Sequence, residues 1–318
     1  VLNRAGTYWY HPHPHGRTGP QVYRGLAGLI IVSDDNEQAL DLPRGDYDIS
    51  LVLQDRSFGS NNQLLYDQFP MHGFLGETIL VNGRPDYLLD VDSRPYRLRL
   101  LNGSNSRIYK LEFGDGTPVR VIGTDGGLLK RPVRRPYLTL APGERLELWV
   151  DFSNRRQGDE IVLRSLEFDG MGFGPGMGPG GPPGVLPQGA AFDVMRFRIA
   201  RQVDDPQPLP KRLSKIRKLR LSKAVNGSDP KRFRYAMRFG QWSINDRTFQ
   251  MEAVAAEETV ALGSMEAWDI SNDGGGMGMG MGMGMPHPVH LHGSQFQIVD
   301  RSVSSRFRTA WDLSLIHI

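Results

Sequence analysis

Short runs of alternating apolar and polar residues dominate the chain. "GLIIVSD", "DYDISLVLQD", "PYRLRLLNGS", "RLELWVDF", "EIVLRSL", "VMRFRIA", "KLRLSK", "ETVALG" and "EAWDIS" are each rich in β-branched or aromatic residues and bounded by turn formers. That pattern predicts strands packed as an all-β sandwich or barrel, and stretches with helical period are scarce. In "YRLRLLN" the alternation sets Tyr96, Leu98 and Leu100 against Arg97 and Arg99, which predicts one buried face and one wet face.

Length and punctuation divide the pattern. A chain of 318 residues exceeds what one core of this kind holds. Residues 1–40 are too short for a sandwich and read as the end of a domain, residues 46–200 suffice for a complete one, and residues 214–318 begin another. "QVDDPQPLPKR" is a Pro-rich polar linker between the last two, within residues 201–213. Glycine-dense "DGMGFGPGMGPGGPPG" (169–184) and "GGGMGMGMGMGM" (274–285) cannot hold regular elements and read as loops. Asn102-Gly-Ser and Asn226-Gly-Ser match a glycosylation acceptor but read as turns.

Composition narrows the chemistry. The net charge of +3 is small, and the basic run Lys211–Lys223 is interspersed with Ile216, Leu219 and Leu221, so it reads as a solvated linker entering a strand and not as a nucleic-acid surface. No apolar run approaches membrane-spanning length. The absence of cysteine removes disulfides, thiol catalysis and thiolate metal ligands from this chain.

Six of the eight histidines fall in two clusters, "TYWYHPHPHG" (7–16) and "HPVHLHG" (287–293). Side chains two apart on a strand share a face at roughly 6–7 Å, so His11 and His13 project together, as do His13 and His15; parity alone leaves both pairs open. Pro12 places this segment at an edge or bulge. His290 and His292 likewise share a face, whereas His287, three residues before His290, faces the other way. Neutral imidazole suits copper, zinc, iron or nickel. His72 and His317 have no such company and read as ordinary polar residues.

These residues carry a resemblance. "YWYHPHPHGRTGPQVYRGLAGLIIV" resembles the second copper-binding motif of the multicopper oxidases, and "HPVHLHGSQFQIV" resembles their third. "LRLLNGSNSRIYKLEF", "VIGTDGGLLKRPV" and "LAPGERLELWVDF" are similar to that family's middle domain. The likeness is strongest to bacterial copper-efflux oxidases and bilirubin-oxidase-like laccases, and it runs over nearly the whole chain. It implies tandem cupredoxin-like Greek-key β-sandwiches, the first and last incomplete. It also implies type 1, type 2 and binuclear type 3 copper, and the one-electron oxidation of Cu(I), phenols or bilirubin-like compounds coupled to the four-electron reduction of dioxygen to water. On the family pattern Trp9-Tyr10 sets the register, so that His11 and His13 bind type 3 copper, His287 type 1, His290 type 2 and His292 type 3. A periplasmic or secreted location is expected.

Two of the family's four motifs are not seen. The first His-x-His would precede Val1, and the His-Cys-His motif would follow the present end. Without its thiolate, type 1 copper cannot be assembled, so this polypeptide alone is expected to be inactive. After "RTAW" (308–311) the similarity stops abruptly, and residues 312–318 read as non-native. Met277, Met279, Met281, Met283 and Met285 end one residue before the proline that precedes His287; thioethers prefer Cu(I), which makes them candidate cuprous-ion ligands, although repeat expansion in a flexible loop reads equally well. Two other classes remain: a copperless cupredoxin-fold scaffold, and copper nitrite reductase, which the middle domain disfavours.

Overall fold

The computed structural model describes residues 4–66, 73–168, 186–238, 241–272, 286–291 and 295–301. Outside them lie His72, His292, His317, the five methionines of 277–285, the whole segment 169–184, and residues 312–318. The chain divides into two compact units. One comprises residues 1–169, 180–216 and 290–318, the other residues 170–179 and 217–289.

In the larger unit, β1 (Gly6–Tyr10) leads through the histidine segment to a short helix α1 (Thr18–Tyr23) and pairs antiparallel with β2 (Gly28–Val32), Trp9 opposite Leu29. A second helix, α2 (Asp35–Gln38), is capped by the Asp34 carboxylate, which accepts the Glu37 amide at 2.8 Å. Then follow β3 (Asp48–Phe58), β4 (Leu64–Leu65), β5 (Thr78–Val81), β6 (Leu88–Asp92) and β7 (Pro95–Asn102). After them come β8 (Tyr109–Phe113), β9 (Val119–Thr124), β10 (Gly127–Arg135) and β11 (Leu138–Leu140), with β12 (Arg145–Asp151), β13 (Glu160–Ser165) and β14 (Phe192–Arg201) last.

These strands form two sheets. One runs β10-β9-β12-β7-β3-β4, with β5 also on β3; the other runs β11-β8-β13-β14-β6. Parallel pairing of β3 with β7 and of β14 with β6 requires crossovers between the sheets. Leu51, Leu98, Leu100 and Leu148 from the first sheet share one core with Leu163 and Phe197 from the second, all at most 1% exposed. Apolar area removed from water on this scale is the main favourable contribution to the fold.

The expected wet face of β7 is not wet. All eight of its residues are buried, Arg97 and Arg99 among them. Their side of the sheet is covered by the N-terminal segment: Thr7 of β1 and Glu37 of α2 are buried there, and Glu147 stands beside the arginines on the neighbouring strand. Strand parity correctly separates the two faces, but water is excluded from both because the second face has its own cover. β1 approaches the sheet closely at Gly6 and Gly127, where a Cβ on Gly6 would sit 2.8 Å from the Gly127 Cα.

The smaller unit contains β15 (Lys231–Arg238), antiparallel to β16 (Gln241–Ile244) and parallel to β17 (Trp268–Asn272). Two expected strands are absent from it. "KLRLSK" ends in a single 3-10 turn, Leu221–Lys223, and "ETVALG" is irregular after another, Ala256–Glu258. Both runs are short, and alternation marks a run that is able to pair but does not by itself make it a strand.

Candidate metal centre

The histidine segment is held by a charged cluster beneath it. Glu147 is wholly buried; one carboxylate oxygen accepts the Thr7 hydroxyl at 2.8 Å and Arg99 at 3.2 Å, and the other accepts Arg97 Nε at 3.0 Å and Nη2 at 2.5 Å. Arg97 also reaches Glu37 at 2.5 Å, and Arg99 pairs with both oxygens of Asp48 at 2.7 Å. Desolvation pushes the Glu147 carboxyl up, but Arg97 and Arg99 together hold it below the usual glutamate range. Arg145 donates from Nε to the Thr7 carbonyl at 3.2 Å, fixing the same residue through its backbone.

Thr7 and Trp9 lie on β1, which ends at Tyr10; His11 and His13 continue the same two-residue spacing in the irregular segment just beyond it and not on a strand. The Trp9 and His11 rings lie 4.4 Å apart at 32°, and the His11 and His13 rings 4.4 Å apart at 37°. His290 brings its ring to 6.5 Å from His11. Thus two segments far apart in sequence meet here, and three of the five candidate ligands share one neighbourhood. His13, His15 and His290 are exposed, and His11 is half-buried. Among the described residues no three His, Cys, Asp or Glu side chains enclose a position by themselves; His292 is outside that set.

His287 belongs to the smaller unit, whereas His290 belongs to the larger. Its ring stacks on Tyr235 (5.6 Å, 27°) and meets the Trp242 ring edge-on (4.7 Å, 74°). Nε2 is buried and has no hydrogen-bond partner among the described residues, and burial holds the imidazole pKa below its ordinary value. A neutral ring with a desolvated nitrogen is a chemically suitable metal ligand, since coordination would satisfy that atom. Its aromatic surroundings, Tyr235 and Trp242, were not singled out from the sequence; aromatics at strand parity carry no mark distinguishing a ligand's wall from ordinary core.

The structure thus brings His11 and His13 of one segment near His290 of another, in the unit that holds the β-sandwich. The sequence profile of the multicopper oxidase family matches residues 1–37 and again residues 224–313. A laccase of Bacillus stratosphericus is 34% identical over 321 aligned positions, which cover 94% of this chain and 57% of the laccase. The crystal structure of a laccase from Pediococcus acidilactici superposes with a TM-score of 0.76 at 32% identity, over 95% of this chain and 59% of that one. Cell division protein FtsP of Escherichia coli (strain K12) is 42% identical over 165 residues, 51% of this chain and 34% of FtsP. This chain belongs to the multicopper oxidase family, and its sandwich is of the cupredoxin-like kind. It spans little more than half the length of the laccases it matches.

Proposed function

We propose that this chain is the portion of a multicopper oxidase that supplies His11, His13, His290 and His292 to the oxygen-reducing copper centre and His287 to the electron-entry copper. The observation that carries the reading is the meeting of the His11 and His13 rings with the His290 ring. Imidazole nitrogens fit copper, and the buried Nε2 of His287 fits a ligand role. The thiolate of a blue-copper centre comes from no residue of this chain, which has no cysteine. When bound, copper would supply one-electron redox steps and dioxygen reduction. The residues themselves orient the ligands: Thr7 and Trp9 hold β1, just past whose end His11 and His13 stand, and Tyr235 and Trp242 pack against the His287 ring.

The reducing substrate is of the class Cu(I), phenol or bilirubin-like compound, with dioxygen as acceptor. The five methionines Met277, Met279, Met281, Met283 and Met285 are the candidate Cu(I) ligands. The three-part division into residues 1–40, 46–200 and 214–318 is part of the same reading, as is a periplasmic or secreted site of action. No helix among the described residues is long and apolar enough to cross a membrane.

Similarity to FtsP favours one second reading, a scaffold that keeps the sandwich and does no redox chemistry. Titration of the 318-residue chain with Cu(II), followed by electron paramagnetic resonance, separates the two. The oxidase reading expects bound copper, quantified by metal analysis alongside the resonance, whose amount falls in His11→Ala/His13→Ala. Absence of specific copper, or copper untouched by that double substitution, overturns it in favour of the scaffold.

A further inference from the structure

The turn between β11 and β12, residues 141–144, touches the histidine segment through one glycine. Gly143 has φ +77°, and a Cβ placed on it would lie 3.2 Å from Cζ2 of Trp9. The indole's benzo edge therefore rests on bare backbone. That backbone is itself pinned: the Gly143 amide donates to the Asn102 carbonyl at 2.9 Å, its carbonyl accepts Arg145 at 2.7 Å, and the Glu144 carboxylate accepts the Ala141 amide at 2.7 Å. The other face of the arrangement is the His11 ring, 4.4 Å from the indole. Two strand residues earlier, Thr7 is tied to the buried Glu147.

We propose that Trp9 and Gly143 are positioning residues for His11. The sandwich turn acts as a seat for the indole, and the indole sets the tilt of the imidazole and, through it, that of His13. The inference rests on the copper reading above only for its consequence; the positioning itself is a property of the metal-free chain. The physical logic is that His11 lies just past the end of β1, where the strand ladder stops, so side-chain contacts act on its ring: Nδ1 lies 3.1 Å from the Pro12 carbonyl, and the indole faces the ring. A flat aromatic surface, clamped from behind, adds a constraint on the tilt. Residues that orient a metal-bound imidazole from outside the ligand set commonly alter metal affinity by about 10–100-fold.

The test uses the full 318-residue chain with Trp9→Leu, Trp9→Phe and Gly143→Ala. In the metal-free state, the ring-proton signals of His11, assigned through His11→Gln, should lie upfield in the parent because the indole faces the imidazole. They should return toward the free-imidazole position in Trp9→Leu and shift in Gly143→Ala, while Trp9→Phe keeps part of the displacement. Cu(II) affinity against a competing chelator should fall roughly tenfold or more in Trp9→Leu, with altered copper hyperfine splitting, and recover in part in Trp9→Phe. Melting temperature reports any loss of fold, and if Trp9→Leu fails to fold the Phe and Gly143→Ala variants carry the comparison. Unchanged His11 signals in folded variants overturn the positioning. A parent that shows the upfield signals but binds no copper overturns the oxidase reading and leaves the seat established.

Discussion

Replacing Glu147 by glutamine probes whether the buried charges hold the N-terminal segment on the sandwich. One carboxylate oxygen serves Thr7 and Arg99, the other serves Arg97 twice. A carboxamide keeps a single acceptor oxygen. Whichever way it is turned, its NH2 faces a guanidinium donor, and two buried arginines each lose one of their anionic partners. Glu37 and Asp48 remain to compensate in part, through contacts of 2.5 Å to Arg97 and 2.7 Å to Arg99. Breaking a buried pair costs about 3–5 kcal/mol, and the surviving anions place this case near the lower end, at about 3 kcal/mol. With roughly 2–4 °C per kcal/mol for a domain of this size, the melting temperature should fall on the order of 10 °C. Urea unfolding at pH 7, followed by tryptophan fluorescence, measures the difference. A variant within about 1 kcal/mol of the parent would refute the reasoning, because that is what an exposed pair contributes.

The pH dependence supplies an independent sign. The folded-state pKa of Glu147 lies below its ordinary value of 4.5, so its stabilisation is complete above that value. It is lost as pH falls through the lower folded-state pKa, where the unfolded chain has already taken up its proton. The parent should therefore lose more stability on acidification than Glu147→Gln. Parallel acid profiles would show that the carboxylate is not the group responsible.

Two further substitutions bracket the effect of burial. Arg107, fully buried, donates to Asp55 at 2.8 Å and to the carbonyls of Gly76, Leu186 and Pro187 at 2.7–3.2 Å; Arg107→Met leaves that buried carboxylate only the Gly76 amide at 2.7 Å and takes away its ion-pair partner, which should cost about 3–5 kcal/mol in the same unfolding assay. Arg198 forms a two-point pair with Asp90 on the solvent side of β14, and Arg198→Ala should leave the melting temperature unmoved within error, since exposed pairs are screened; a clear fall there would mean that the outer charge ladder is structural.

What the sequence determined by itself was local: β3, β7, β12, β13 and β14 stand where alternating apolar residues placed them, because strand parity and turn chemistry act over a few residues. The two histidine clusters were legible for the same reason, and the family resemblance was carried by them. Tertiary structure decided what each face meets. Arg97 and Arg99 read as wet, yet they are buried because Thr7, Glu37 and Glu147, residues distant from them in the chain, close over that side. Parity left His11/His13 and His13/His15 equivalent, and the folded chain stacks His13 on His11, which lies against Trp9. "KLRLSK" and "ETVALG" alternate as well as true strands do, but neither is a strand in the folded chain. Sequence pattern specifies which way side chains point; the partners that remove water, satisfy charge and aim a ring arrive from elsewhere in the chain, and only the folded arrangement supplies them.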